Sequence, residues 1–263
     1  MHFNNWLTIY LKALFILSQT YKSTFKGPDP DGFFADQRQL SLSFKCFITT
    51  LINLVPDKNI KNIMVSFIYM NENTATTLLG SKTLENFFVI NPDLSSVISN
   101  SPQYNYSQTI FLDYCIQSEA LMFKWVYLLQ SYIYITVNTY GNYIVIPTFN
   151  QTKQLYNIEN VTKDDWGNAI WFIIHTTALY STSSMDETFE NYKAMLSCLQ
   201  YLLPCPKCRG HLRSNLSLID IDYCKNNKES LFECSWKLHN IVNRSLNKYE
   251  PTLIEARQLY NFN

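Results

Sequence analysis

The chain has 263 residues, 47% of them hydrophobic, 15% aromatic and only 16% charged. That composition excludes a disordered chain and allows a real core, in one large domain or two modest ones. Acidic and basic residues balance at 21 each, which excludes a general electrostatic pull toward nucleic acid or acidic membranes, so no nucleic-acid partner is expected.

In chain order, Trp6 to Leu17 is an apolar segment interrupted by Lys12. It is shorter than the roughly 20 residues that span a bilayer and has no basic leader, which predicts a buried or amphipathic helix. A break, "KGPDPDGF", follows at Lys26 to Phe33. Then come short runs rich in Ile, Val, Tyr and Phe: Ile63 to Met70, Phe87 to Ile90, Tyr132 to Val137 and Tyr143 to Phe149. Asn and Pro clusters separate them, and the pattern predicts strands. Residues 1–157 therefore read as a mixed α/β accessory domain, with no internal repeat in the sequence.

After Val161 the texture becomes helical. Trp166, Ile170, Ile173, Ile174 and Thr177 follow helical spacing from Asp164 to Tyr180, with Asp164 or Asp165 as the expected N-cap. A second helix is predicted from about Asp186, its stripe being Phe189, Tyr192, Leu196, Leu199 and Leu203. A third opens at "PCPKC" and runs through His211 to Leu216. A fourth covers about Glu229 to Leu246, and a short fifth Thr252 to Tyr260. Residues 158–263 thus predict a compact helical bundle, and the fold class of the whole is α+β.

Of the seven cysteines, Cys46 and Cys115 stand apart, whereas Cys198, Cys205, Cys208, Cys224 and Cys234 all follow residue 195. Cys205 and Cys208 form a CxxC. At a helix N-terminus the free N–H groups and the dipole stabilise a thiolate, as dithiol–disulfide exchange requires. A zinc site, completed from His211, Cys224, Cys234 or His239, is the alternative on spacing alone. A thioredoxin-type motif would follow a strand, and here a helix precedes it. The flanks add more. Trp171 and His175 share one face of the first helix; Trp236, His239, Asn240 and Asn243 share one face of the fourth. Such side chains can stack on a flat heteroaromatic ring and bond its edges. A planar cofactor is expected between the two helices, in a slot flanked by Trp171 and His239, beside the CxxC.

"WGNAIWFIIHTTALY" (Trp166 to Tyr180), "LPCPKC" (Leu203 to Cys208) and "LHNIVNRSLNK" (Leu238 to Lys248) resemble, in that order, the Erv/ALR family of FAD-dependent sulfhydryl oxidases. The resemblance covers about a third of the chain. It implies a four-helix bundle with a short fifth helix, holding FAD, that oxidises protein dithiols with dioxygen as acceptor and hydrogen peroxide as product. Family bundles usually pair as homodimers, and the Phe189/Leu196 helix is the candidate surface. Carried over by position, Lys163, Trp166, Gly167, Asn168, Trp171 and His175 would line the flavin from the first helix. Trp236, His239, Asn240, Asn243, Asn247 and Lys248 would do so from the fourth, Lys248 at the phosphates. Cys208 would be the catalytic cysteine facing the flavin and Cys205 its exchanging partner; no metal is implied.

The pattern departs from the family in three places. Trp236 stands where many relatives carry one cysteine of a structural disulfide, so that staple is expected to be missing. Cys198, Cys224 and Cys234 have no CxxC partner and read as buried or idle thiols rather than shuttles. The tail after Glu250 lacks the family's tryptophan-containing ending. A lineage-specific α/β domain is favoured for the first part, over a thioredoxin-like domain or the degenerate helical copy that precedes the baculovirus oxidases. The compositional bias and the missing staple are consistent with a large DNA virus as source.

Overall fold

The structure, a computed structural model, describes residues 3–20, 37–68, 111–116, 119–138, 148–157 and 161–260. Among these residues every regular element is a helix. The N-terminal part supplies α1 (Phe3–Thr20), α2 (Gln37–Asn53), α3 (Lys58–Ile68), α4 (Phe111–Cys115), α5 (Glu119–Asn138) and α6 (Phe149–Leu155). The C-terminal part supplies α7 (Lys163–Tyr180), α8 (Met185–Leu202), α9 (Pro206–Leu216), a 3-10 turn (Ile221–Asn226), α10 (Lys228–Ser245) and α11 (Leu253–Tyr260).

The expected mixed α/β domain is thereby corrected. Ile63 to Ile68 lies in α3 and Tyr132 to Val137 in α5, while Phe87 to Ile90, Tyr143 to Pro147 and the Lys26 to Phe33 break lie outside the described residues. The physical reason is that a short apolar run carries no period of its own. In α3, Ile60, Met64, Phe67 and Ile68 are buried, a helical stripe that β-branched composition disguised. In α5, Trp125, Val126, Leu128, Leu129 and Ile133 are all buried, so the helix is wrapped by protein and shows little polar alternation.

The two parts repeat one plan. Helices α1, α2, α3 and α5 have 18, 17, 11 and 20 residues, against 18, 18, 11 and 18 for α7, α8, α9 and α10. In both sets the first helix packs on the fourth, the third on the fourth, and the second on the third. Between the sets, α1 meets α7 and α2 lies along α8, so equivalent helices face each other as across a two-fold axis. The repeat that sequence does not reveal is present in packing.

Polar contacts tie the halves. The Trp6 indole N–H donates to Thr176 Oγ1 at 3.0 Å, and Lys12 pairs with Asp165 at 3.1 Å. Asn53 bonds Asn191 at 3.1 Å, and Lys61 reaches Ser183 at 2.6 Å. Buried apolar residues from Trp6 to Tyr260 form one continuous cluster. Phe189 and Leu196, expected on a free dimer surface, are both 2% exposed, and α2 runs along their helix. Among the described residues no helix is long and apolar enough to cross a membrane.

Candidate active site

Helix α7 is started by Thr162, not by Asp164 or Asp165. The Thr162 hydroxyl accepts from the Asp165 N–H at 3.2 Å and the Asp165 carboxylate accepts from the Thr162 N–H at 3.1 Å, a capping box. These bonds, joined by Lys12, hold the Asp165 carboxyl down at about 2. Helix α7 therefore enters the bundle at a fixed angle and carries Trp171 and His175 onto α10.

There the rings assemble. Trp171 stacks on His239 with centroids 4.0 Å apart and planes 8° apart. His175 is 1% exposed and bonded at both nitrogens: Nδ1 to Ser235 Oγ at 2.7 Å, Nε2 to His239 Nδ1 at 2.9 Å. Ser235 donates its own proton to the Phe232 carbonyl at 2.6 Å. One assignment satisfies the set: His175 Nδ1–H donates to Ser235, and His239 Nδ1–H donates to His175 Nε2. Both imidazoles are then neutral, and His239 Nε2 keeps a free lone pair. Burial, with His239 beside it, pushes the His175 pKa well below its usual value. Burial, followed by Lys248, lowers His239 to about 4.

The expected slot between Trp171 and His239 is corrected, because the two rings touch and leave no room for a third. Open space lies elsewhere. A cavity of about 690 Å³ is lined by Trp236, Asn240, Arg244, Ile219, Tyr223 and Pro251, among others. Trp236, Asn240 and Arg244 lie at i, i+4 and i+8, the face of α10 next to that of Phe232, Ser235 and His239. Trp236 Nε1 and Asn240 Nδ2 both donate to the Pro251 carbonyl, at 2.7 and 3.0 Å. Asn240 Oδ1 is buried without a partner, an acceptor that a ligand N–H could satisfy. At Gly167 on α7 an added Cβ would meet nothing within 4 Å.

The remaining candidates divide. Trp166 is half-buried; Lys163 and Asn168 are exposed near the start of α7. Lys248 is held by Asp164 at 3.0 Å, which fastens the end of α10 to the start of α7. Asn243 is 9% exposed and its carbonyl accepts the Lys248 N–H at 2.9 Å. Asn247 has φ 52°, and its N–H donates to the Arg244 carbonyl at 3.2 Å. Those two bonds form a Schellman turn, so this asparagine is explained by backbone geometry.

Cys205 and Cys208 form a disulfide with Cα atoms 5.1 Å apart. Cys205 is the N-cap of α9, Pro206 begins the helix, and the Cys208 N–H points at Cys205 Sγ at 3.3 Å. The dithiol therefore sits at the positive end of a helix, as its spacing predicts. Both cysteines are half-buried. Arg209, 4% exposed, donates to the Tyr201 carbonyl at 3.4 Å and braces the turn against α8. Among the described residues no three His, Cys, Asp or Glu side chains converge as metal ligands.

Sequence reasoning missed several residues. Cys224 and Cys234, read as idle thiols, form a second disulfide, with Cα atoms 6.2 Å apart, which ties the 3-10 turn to α10. Ser235, one helical turn before His239, orients His175. Tyr260 caps the cluster in place of the missing tryptophan ending, its ring 4.5 Å from His175 and its carbonyl bonded by Tyr180 at 3.1 Å.

A disulfide at a helix N-terminus, beside helices that carry a stacked Trp–His–His cluster, defines a dithiol-bearing helical bundle. The model of the Erv1 / Alr family matches residues 168–260. The FAD-linked sulfhydryl oxidase of African swine fever virus (isolate Pig/Kenya/KEN-50/1950) is 30% identical over 97 residues, 36% of this chain and 79% of that protein. The chain belongs to the Erv1/Alr family. The FAD-linked sulfhydryl oxidase ERV1 of Arabidopsis thaliana is 32% identical over 89 residues, 34% of this chain and 46% of its own length. A relative from Invertebrate iridescent virus 3 is 29% identical over 32% of this chain and 57% of its own. The chain thus spans about half the length of these last two relatives. No solved structure matches.

Two outcomes test this geometry. Because His239 is lowered from 6.5 to about 4, the unfolded chain binds more protons between those values. Stability is therefore complete above about pH 6.5 and falls as pH drops toward 4, by up to about 1.4 kcal/mol per pH unit for each histidine. Urea unfolding across that range, with the imidazole titrations followed by NMR, checks this; a histidine at position 239 titrating near 6.5 would refute it. The second concerns Asn247. Asn247→Gly should keep stability, whereas Asn247→Val should lose about 1–2 kcal/mol in the same urea unfolding; a valine tolerated without loss would refute the left-handed turn.

Proposed function

We propose that the chain is an FAD-dependent thiol oxidase that makes disulfides in protein clients, with dioxygen as acceptor and hydrogen peroxide as product. The observation that carries this reading is the Cys205–Cys208 disulfide at the start of α9, in a chain whose relatives are named FAD-linked sulfhydryl oxidases. A client thiolate attacks Cys205 Sγ, the Cys205–Cys208 bond breaks, and Cys208 leaves as a thiolate. The second client thiol then attacks the mixed disulfide, the client disulfide forms, and Cys205 is released. The client loses two electrons and the CxxC gains them. The α9 N-terminus and the Cys208 N–H face the Cys205 sulfur, which assists its departure when the client disulfide closes.

The residues present fit a flavin dinucleotide. Bound FAD supplies the two-electron acceptor that reoxidises the dithiol and passes electrons to dioxygen. Trp166, Trp171, Trp236 and His239 offer ring surfaces, with His175 holding His239 from behind; Asn168, Asn240 and Asn243 offer amides, and the Asn240 Oδ1 lacks a partner. Lys163 and Lys248 offer cations for phosphate, Lys248 by exchanging its Asp164 contact. The open side of Gly167 leaves room for close approach. We assign this domain to residues 158–263, enclosing the family match. Any homodimer would use a surface other than Phe189 and Leu196, which α2 already covers.

Visible absorbance of the purified protein and oxygen uptake with dithiothreitol test the reading. Cys205→Ser and Cys208→Ser should each lose at least about 100-fold in turnover while the yellow flavin spectrum persists; turnover equal to wild type in either variant would exclude the CxxC as the catalytic pair. Gly167→Ala carries a second signature of opposite signs. It should stabilise the cofactor-free chain by about 0.5–1 kcal/mol, as for any mid-helix glycine, yet weaken FAD retention during dialysis. Undiminished FAD retention would show that the open space at Gly167 plays no part in holding it.

A further inference from the structure

Three cysteines lie outside the two disulfides: Cys46, Cys115 and Cys198. Cys115 is buried alone, and burial pushes its thiol well up. Cys46 and Cys198 differ, because they meet. Cys46 stands on α2 and Cys198 on α8, the two helices that run along each other between the halves of the molecule. Asn53 bonds Asn191 across these two helices, and Cys46 and Cys198 each stand two helical turns from that pair, at matching positions of the facing sides, so their sulfurs are neighbours. Cys198 is 6% exposed and belongs to the core, whereas Cys46 is half-buried at its edge.

The asymmetry assigns roles. A buried sulfur keeps its proton, because burial penalises the charged form; the neighbouring sulfur, nearer water, accepts that S–H and is favoured as thiolate. The contact with Cys46, and then burial, raises the Cys198 thiol, while the contact with Cys198 lowers the Cys46 thiol against its own partial burial.

We infer that Cys46 and Cys198 form a third redox pair, in which Cys46 captures a low-molecular-mass disulfide such as oxidised glutathione and Cys198 resolves the adduct, locking α2 to α8. The Cys46 thiolate attacks one sulfur of the small disulfide, a mixed disulfide forms at Cys46, and one small thiolate leaves. Cys198 gives up its proton and attacks Cys46 Sγ; the Cys46–Cys198 bond forms and the second small thiolate leaves. Two protein thiols lose two electrons, one small disulfide becomes two thiols, and the protons end on those thiols. The product bond would join the two halves across their shared interface. This pair works independently of the oxidase reading, since it needs neither FAD nor the CxxC.

The test uses the full chain, reduced, freed of reductant and incubated with oxidised glutathione, then acid-quenched, alkylated and mapped by mass spectrometry. A peptide linked through Cys46 and Cys198 is expected as the dominant form of both residues. Cys198→Ser should stop at glutathione on Cys46, and Cys46→Ser should leave Cys198 alkylatable. The linked wild type should melt higher than its reduced Cys46→Ser counterpart, treated identically, by roughly 5 °C or more. Recovery of Cys46 and Cys198 as free thiols from the wild type, or of a persistent glutathione adduct at Cys46, would overturn the inference. Loss of oxidase turnover would bear on the CxxC alone.

Discussion

A buried imidazole is tolerated only when both of its nitrogens find partners, and the placement of α7 against α10 answers to that constraint at His175. Ser235 takes one nitrogen and His239 the other, so two residues of α10 at i and i+4 grip one side chain of α7. Trp171, a turn before His175, then lies flat on His239. Rotating α10 by one residue would break both bonds and strand His175 in apolar surroundings with Phe232 and Tyr260. The geometry of every ring surface at the site descends from this one fixed register.

Around that seam the fold doubles itself. The N-terminal set brings no CxxC, yet it covers the α8 face with α2 and the α7 face with α1. A bundle with only its own four helices would leave Phe189, Leu196 and their neighbours to a second subunit or to water. Here the same chain supplies the cover. The interface is consequently intramolecular and independent of concentration. Its polar ties, Trp6 to Thr176 between α1 and α7 and Asn53 to Asn191 between α2 and α8, fix the register of the packed helices.

How much of this could be read from sequence follows from which signals are local. The five C-terminal helices were legible because their stripes and the proline before each cysteine act within a few residues, although the cap of α7 fell on Thr162 rather than on the aspartates expected. The CxxC at a helix start was legible for the same reason. The N-terminal helices were not, because Ile, Val, Tyr and Phe in a helix buried on most sides leave neither the period of a strand nor that of an amphipathic helix; α5 is the clearest case. The Trp171–His239 contact also escaped, since residue spacing shows which faces carry rings but not whether those faces close on each other. Nor could the partners of Cys46 and Cys224 be read from their positions, because pairing depends on the approach of separate elements.

The disulfide economy illustrates how a departure from a family pattern is absorbed. Trp236 occupies the place of one half of the usual staple, and its indole instead donates to the Pro251 carbonyl, holding the segment that follows α10 by a hydrogen bond. The same end is closed by the Asn247 turn and by the bidentate Arg244–Glu250 pair at 3.0 and 2.6 Å. Cys234, two residues earlier on α10, instead fastens Cys224 in the 3-10 turn. A bond closing so short a loop restrains the unfolded chain by roughly 3 kcal/mol. The covalent restraint thus lies in the first half of α10, and the far end is secured by a part-buried indole hydrogen bond and an exposed ion pair. The Pro251 side of the cavity is in consequence held to α10 by hydrogen bonds from Trp236 and Asn240 rather than by a covalent tie.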